Sequence, residues 1–359
     1  MTRKILAALL CLCAALPLLA PAARAEEADP AWTLVTADGE KVTSIAVEVT
    51  EGDEYIAGDN ALYRVTSVDA QTRQAVLQRA GEEPAVAQAL FGLTRTAKTQ
   101  KVVGLYCTHS DESYEDGDGA SSVESGWAGI HDVAATLKSW LEDKGVEVLF
   151  DTGSYLPHDA GAYRRSRRTA EELLKDDPDA LLDIHRDAIP AEQYETEVEG
   201  EDVSKVRLFV GRSNPNGDEN RAFAQQIKAV ADEEYPGLVK DIYIGKGNYN
   251  QELYPRALLL EMGTHEIEKD KVMASTDYIA DVIAEVLYGE SAVAEESAEP
   301  SGVASGVFWV IGAVIVIAVI YALASTGRLS AIWNRIRRTG SEMTAGAVGK
   351  KPDKNGRER

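Results

Sequence analysis

The sequence ALLDIH, residues 180–185, is a short apolar run that ends at a histidine. A run of this length, with a Pro just before it and charged residues just after it, is typical of a buried β-strand. Apolar runs of the same kind recur at residues 102–107, 146–150, 206–210 and 256–262. Helical periodicity fills the intervals, at about 127–144, 162–176, 218–234 and 268–288. This alternation predicts an α/β fold with a mostly parallel sheet flanked by helices.

The segments before and after this region differ in composition. Residues 31–80 alternate between β-rich pieces and Asp-Gly or Gly-Asp turns, which predicts a small all-β module. Residues 81–98 are interpreted as a connector and residues 99–288 as the α/β domain. Residues 289–302 are acidic and contain too few apolar side chains to form a core, so they are interpreted as a tether.

The first 25 residues have the pattern of an export signal. Arg3 and Lys4 precede an apolar run that extends to Leu19, and Ala23-Arg24-Ala25 supplies small residues for cleavage. The alternative is a retained N-terminal anchor, although an apolar run of about 15 residues is short for a membrane span. We expect residues 1–25 to be removed from an exported chain.

A second apolar segment, residues 303–324, contains no charged side chain. At a rise of about 1.5 Å per residue it is long enough to cross a bilayer. Residues 325–359 contain six arginines, four of them within residues 328–338, and basic residues beside a span favour the cytoplasmic side. We therefore predict a single-pass membrane protein with its domain outside and its C-terminal tail in the cytoplasm. The alternative for residues 303–324 is a buried helix of a soluble protein.

The charge balance excludes one class of partner. The chain carries 59 acidic and 37 basic side chains, a formal net charge of −22. A strongly acidic surface repels the phosphates of nucleic acids. We therefore expect no direct binding of DNA or RNA.

Three chemically suited side chains stand at or near the ends of predicted strands. His109 follows the run 102–107, His185 follows ALLDI, and Glu261 lies near the end of RALLLEM. Ligands of open α/β sheets bind beyond the carboxyl ends of the strands, so we expect these groups to converge. Two imidazoles and a carboxylate are ligands that zinc prefers, and bound zinc lowers the pKa of water to about 7. A further carboxylate is required, and Glu112 and Glu124 are the candidates.

Several stretches resemble one known family. They are THSDESY from Thr108, LLDIHRDA from Leu181, FVGRSNPNGDENRAFA from Phe209, and the long stretch from Tyr235 that ends NYNQELYPRALLLEMGTHE. These stretches closely resemble stage II sporulation protein P, in order, over residues 101–288. Members of that family are exported, membrane-anchored enzymes that cut peptidoglycan. Their domain is similar to the zinc-dependent amidases of cell-wall turnover.

The resemblance implies roles for individual residues. His109 and His185 correspond to the paired active-site histidines, and Glu261 corresponds to the general acid/base of the related zinc amidases. Those relatives also use a glutamate ligand ahead of the first long helix, for which Glu112 and Glu124 both remain open. The pair His158-Asp159 matches a pair that lines the substrate groove in the family, and its alternative is a helix cap.

Three further residues are predicted to bind substrate, each with a structural alternative. Arg186 is suited to a peptide carboxylate, because a guanidinium group donates two parallel hydrogen bonds to such a group. Its alternative is an ion pair with Asp187 that steadies the loop. Asn250 and Gln251 are suited to hydrogen bonds with a peptide or sugar, and their alternative is to satisfy a buried turn.

The resulting functional hypothesis is an N-acetylmuramoyl-L-alanine amidase that uses zinc, acts on peptidoglycan beside the membrane lipid bilayer, and works in sporulation or related wall remodelling. Two alternatives stay open. One is a peptidoglycan endopeptidase, and the other is a wall-binding scaffold that has lost its metal. The resemblance also implies a lytic transglycosylase and a multispan membrane protein as partners.

Overall fold

A computed structural model describes residues 30–82, 100–124 and 126–289. The predicted export signal, transmembrane segment and basic tail lie outside these residues, as do the connector and the tether apart from their first residues. Within the described ranges, no helix is both long enough and apolar enough to span a bilayer.

The central feature is an eleven-stranded mixed sheet. The strands of its C-terminal part are β6 (Val102–Tyr106), β7 (Glu147–Phe150), β8 (Ala180–Asp187), β11 (Val206–Gly211), β12 (Val239–Gly245) and β13 (Ala257–Thr264). All neighbouring pairs of this part are parallel except β11 with β13, which is antiparallel. The predicted α/β fold is confirmed, with a mostly parallel arrangement in this part of the sheet.

Four helices flank these strands close to the predicted positions. They are α1 (Gly129–Asp143), α2 (Ala162–Leu173), α3 (Gly217–Glu234) and α4 (Lys269–Tyr288). Apolar side chains of α1, α3 and α4 pack together with one face of the sheet. Helix α2 packs against the other face, where Ala170 contacts a cluster that includes Tyr106 and Leu181. The site described below lies on the α2 face.

The first five strands are β1 (Trp32–Thr36), β2 (Lys41–Ile45), β3 (Glu54–Ile56), β4 (Ala61–Asp69) and β5 (Gln74–Glu82). Their all-β character agrees with the prediction, but they do not form a sheet of their own. Strand β3 pairs antiparallel with β12, so the strands continue the large sheet. Its full order is β2-β1-β5-β4-β3-β12-β11-β13-β8-β6-β7. A second apolar core joins the two parts, because Trp32 and Leu34 lie in one cluster with Phe209 and Tyr243. Over its full width the sheet is therefore mixed rather than mostly parallel.

Two elements of the α/β region were not predicted. Strand β12 contains Lys240 and Asp241, which interrupt the apolar pattern by which buried strands are recognised. The hairpin of β9 (Glu195–Val198) and β10 (Glu201–Ser204) forms a separate two-stranded sheet. Its strands carry several acidic side chains, and short polar strands give a weak pattern.

Candidate metal centre

His109, Glu112 and His185 converge on one point, and we call them the metal-site triad. Nδ1 of His109 lies 3.3 Å from Oε1 of Glu112, and Nδ1 of His185 lies 3.6 Å from Oε2 of the same carboxylate. One donor atom from each residue lies within 4.8 Å of the other two. Ligands bound about 2 Å from a tetrahedral zinc ion lie roughly 3.3 Å apart. The donor set therefore fits zinc, and the two distances between imidazole and carboxylate are close to this spacing.

The local fold explains how these side chains meet. His109 follows β6, and the chain turns so that the amide of Glu112 donates to the carbonyl of His109 at 3.2 Å. Oε2 of Glu112 accepts a hydrogen bond of 2.9 Å from the backbone amide of Arg186, beside His185. Glu124, the other ligand candidate, is exposed and lies outside the cluster. The structure therefore brings Glu112, and not Glu124, to the two histidines.

Glu261 faces the same site from the neighbouring strand. It pairs in register with His185 across β13 and β8, and paired residues project from the same face of a sheet. The register shifts just beyond Glu261, where Gly263 adopts a φ of 73°, and such bulges redirect side chains. The side chain is buried, and its Oε2 has no hydrogen-bond partner. The three strand-end groups predicted from the sequence are thus on one face and close together.

Burial and neighbouring charges shift the pKa values of these groups in different directions. Burial raises the pKa of Glu261 to about 8, and the negative charges of Asp187 and Glu112 act in the same direction. Burial also lowers the pKa of His109, which favours the neutral imidazole that binds metal. For His185, the charges of Asp183 and Glu112 outweigh burial and raise its pKa well above the usual value. The surrounding carboxylates therefore stabilise the protonated form of His185.

Two more rings line the site. The ring of His158 stacks on that of His109, with centroids 3.9 Å apart, and its Nδ1 lies 3.1 Å from Oδ1 of Asp111. Tyr163 of α2 lies against both histidines of the triad, with centroid distances of 5.4 Å to His109 and 6.1 Å to His185. The structure thus places His158 beside the triad, while its role in substrate binding stays a prediction.

The other three substrate-binding candidates are occupied by contacts within the protein. Arg186 donates to the backbone carbonyls of Ser113 and Ser121, which steadies the loop after the metal-site turn. Asn250 is buried and donates to the carbonyl of Tyr163, and Gln251 is buried with both ends of its amide bonded to β11. These contacts favour the structural alternatives over contact with substrate. For Arg186 the partners are carbonyls rather than the carboxylate of Asp187.

Beside the triad, a buried group of charges continues the same row across the sheet. Arg207 pairs in register with Glu261, and it bonds Asp187 at 2.7 Å and Asp241 at 2.6 Å. Lys240 also bonds Asp241, at 2.5 Å. We call these four residues, Arg207, Asp187, Asp241 and Lys240, the arginine cluster.

The sequence analysis missed two carboxylates that contact the site histidines. Asp111 accepts from His158, and Asp183 lies 3.1 Å from Nε2 of His185. Asp111 lies two residues after His109, within the same motif. Asp183 lies two residues before His185, and residues two apart on a strand share a face. The period of two along ALLDIH is the signal by which Asp183 could have been identified.

A family model described as stage II sporulation protein P matches residues 35–284. The chain belongs to the stage II sporulation protein P family. A curated relative with that same description, from Bacillus subtilis (strain 168), is 27% identical over 226 residues. The alignment covers 57% of this chain and 56% of the relative, so the chain matches just over half the length of that protein.

Solved structures of amidases are also similar to this member of the stage II sporulation protein P family. An N-acetylmuramoyl-L-alanine amidase from Clostridium difficile 630 is 15% identical, with a TM-score of 0.34, covering 53% of this chain and 95% of its own. The CwlD amidase from Clostridioides difficile, solved in complex with the GerS lipoprotein, is 14% identical, with a TM-score of 0.34, covering 54% of this chain and 97% of its own. TM-scores this low support no conclusion about chemistry.

Proposed function

We propose that this chain is a zinc-dependent peptidoglycan hydrolase that cleaves the amide between N-acetylmuramic acid and L-alanine, in sporulation or related wall remodelling. The observation that carries the proposal is the convergence of the metal-site triad with Glu261, which pairs in register with His185. Family membership supports peptidoglycan as the substrate. The position of Glu112 between the two histidines supports a bound metal and therefore favours this proposal over a scaffold without metal.

The site residues have two roles: three would bind the metal, and one carries a proton. His109, Glu112 and His185 would hold zinc, which supplies a Lewis acid for polarising the scissile carbonyl and for activating water. Glu261 takes up, at its unpartnered Oε2, a proton from the water that attacks the amide carbonyl, and it gives that proton to the leaving amine as the carbon–nitrogen bond breaks. Its pKa of about 8 lies near neutrality, where a group both takes up and releases protons readily.

We further propose that residues 1–25 direct export and that residues 303–324 anchor the enzyme, with the α/β region outside and the tail in the cytoplasm. Anchoring confines the enzyme to the wall next to the membrane, and confinement raises the effective concentration without new contacts. The lytic transglycosylase and the multispan membrane protein are proposed as partners on the family resemblance alone. A protease-accessibility assay on intact cells tests the orientation, because an outward domain is digested and an inward one is protected.

The test of the reaction uses the full-length chain, purified in detergent and incubated with isolated peptidoglycan. We expect fragments whose masses show intact stem peptides freed from the sugar, and we expect chelator to abolish their release. Glu261→Gln should reduce the rate by about 10²–10⁴-fold while the protein still binds zinc, because only the proton carrier is lost. Glu197→Gln, which makes the same chemical change at an exposed position of β9, is the matched control.

The outcomes separate the hypotheses. Stem peptides that stay on the sugar while cross-links are cut would show an endopeptidase instead. Wild-type activity in chelator, or in His185→Ala, would reject the role of the metal. Zinc binding without any fragment release would leave a wall-binding protein.

A further inference from the structure

Asp183 is a buried carboxylate that the proposed reaction does not use. It lies on β8, two residues before His185, and only 2% of its surface is exposed. Its Oδ1 lies 3.1 Å from Nε2 of His185, within ion-pair distance but outside hydrogen-bond geometry, whereas the other ring nitrogen, Nδ1, faces Glu112. The two nitrogens of one imidazole are therefore divided between a carboxylate of the triad and a carboxylate outside it.

Asp183 is also fixed to the strand that carries the other histidine. Its Oδ1 accepts a 2.8 Å hydrogen bond from the backbone amide of Thr108, and its Oδ2 accepts one of 2.7 Å from the Thr108 hydroxyl. Thr108 immediately precedes His109 in sequence. The Asp183 carboxylate thus contacts His185 directly and holds the backbone next to His109. It therefore links the positions of the two histidines.

The chain of buried polar groups continues away from the site. The Thr108 hydroxyl lies 2.8 Å from that of Ser166 on α2, and Ser166 accepts a hydrogen bond of 3.1 Å from the side-chain amide of Asn250. Asn250 adopts a φ of 58°, a left-handed conformation that asparagine tolerates better than most residues. Each of these residues is at least 95% buried. Such a network holds its members in place, because a buried polar group that loses its partner is costly.

We propose that Asp183 is a positioning residue for the metal centre, which orients the His185 ring so that Nδ1, and not Nε2, is the nitrogen offered to the cation. A carboxylate placed against the second nitrogen of a ligating histidine fixes the orientation of the ring and raises its affinity for metal. That carboxylate is held in turn by Thr108, whose hydroxyl is linked through Ser166 to Asn250. This inference rests on the proposed function only in that it requires the triad to bind zinc.

Asp183→Asn tests the inference, because it keeps the shape of the side chain and removes its charge. Zinc affinity of the full-length protein is measured by competition with a chromophoric chelator, and unfolding of the metal-free protein is followed in parallel. We expect zinc affinity to fall by about 10- to 100-fold.

Asp179→Asn is the matched control. Asp179 is equally buried and immediately precedes the first residue of β8, where it accepts hydrogen bonds from the amide of Val102 and the hydroxyl of Tyr288. Asp179→Asn should lower the free energy of unfolding without changing zinc affinity by more than about twofold, since Asp179 contacts no residue of the triad. Equal losses of affinity in the two variants would show a purely structural role and overturn the inference.

Thr108→Val covers the case in which Asp183→Asn does not fold, because it removes the hydroxyl that bonds Oδ2 of Asp183 and keeps the backbone amide that bonds Oδ1. We expect a severalfold loss of zinc affinity, and unchanged affinity would count against the inference. Wild-type zinc affinity in a folded Asp183→Asn protein overturns the inference while the proposed function stands. A wild type that binds zinc but releases no stem peptides overturns the function alone, and one that binds no zinc overturns both.

Discussion

The arginine cluster and the metal-site triad lie in one row across the sheet, and both bury charged groups, but they are bonded differently. In the arginine cluster the charges balance, with two cations and two carboxylates joined at 2.5–2.7 Å. In the triad one carboxylate meets two imidazoles at 3.3–3.6 Å. Beside it, Glu261 keeps an unpartnered oxygen.

The difference indicates which cluster is structural and which is chemical. Buried charges are tolerated when they are paired and hydrogen-bonded, as in the arginine cluster. The triad leaves its donor atoms facing one another at the spacing of metal ligands, and a cation between them would compensate the negative charge. We expect changes in the first cluster to alter stability and changes in the second to alter zinc binding.

The largest expected effect is the loss of zinc in Glu112→Gln. This change removes the only anionic donor of the triad, so zinc affinity should fall by more than the 10- to 100-fold that loss of an outer partner costs. Glu124→Gln, at the exposed glutamate outside the cluster, should bind zinc like the wild type. Competition with a chelator measures both, and the reverse ranking would assign the ligand to Glu124.

The arginine cluster should instead respond through folding. Arg207→Met leaves two buried carboxylates without their main partner, so the free energy of unfolding should fall by about 3–5 kcal/mol. Arg64→Met removes an ion pair with Glu54 whose arginine is 59% exposed, and it should cost less than about 1 kcal/mol. Urea unfolding of the metal-free proteins measures both. A cost for Arg207→Met as small as that of the control would refute the assignment.

The smallest expected effect is the dependence of the unfolding free energy on pH. Burial alone would raise the pKa of Asp241, but the charges of Arg207 and Lys240 lower it far below its ordinary value. The folded state therefore binds fewer protons than the unfolded chain, so this stabilisation is complete above about pH 4 and is lost as the pH falls further.

Comparison of wild type with Asp241→Asn isolates this contribution. Between pH 5 and pH 3 the wild type should lose about 1 kcal/mol more of its unfolding free energy than the variant, as measured by urea unfolding at each pH. Parallel losses in the two proteins would show that Asp241 is not the group responsible.

Much of the site could be predicted from local sequence. Strand-end positions identified His109, His185 and Glu261, because apolar runs mark strands and parallel strands end at one edge. Glu112 stayed one of two candidates, since sequence spacing does not show that the turn after His109 folds back toward Arg186. The ligand roles themselves stay predictions until metal binding is measured.

The features that the sequence did not predict depend on contacts between distant parts of the chain. Strand β12 was not predicted because Asp241 interrupts its apolar pattern. The charge of Asp241 is tolerated in a buried strand because Arg207 of β11 neutralises it. The pairing of β3 with β12 joins residues far apart in sequence, and no local pattern specifies it. Arg186 and Asn250 were assigned to substrate because their chemistry suits it, whereas their donors face carbonyls and hydroxyls of the protein.

The pairing of β3 with β12 has a practical consequence for truncation. A fragment that starts at residue 99 would lack β3, so β12 would become an edge strand with unpaired backbone groups. The same cut would uncover Phe209 and Tyr243, which pack against Trp32 and Leu34 in the intact chain. Exposed edges and apolar patches promote aggregation, so the α/β region should be insoluble when it is produced without its first five strands.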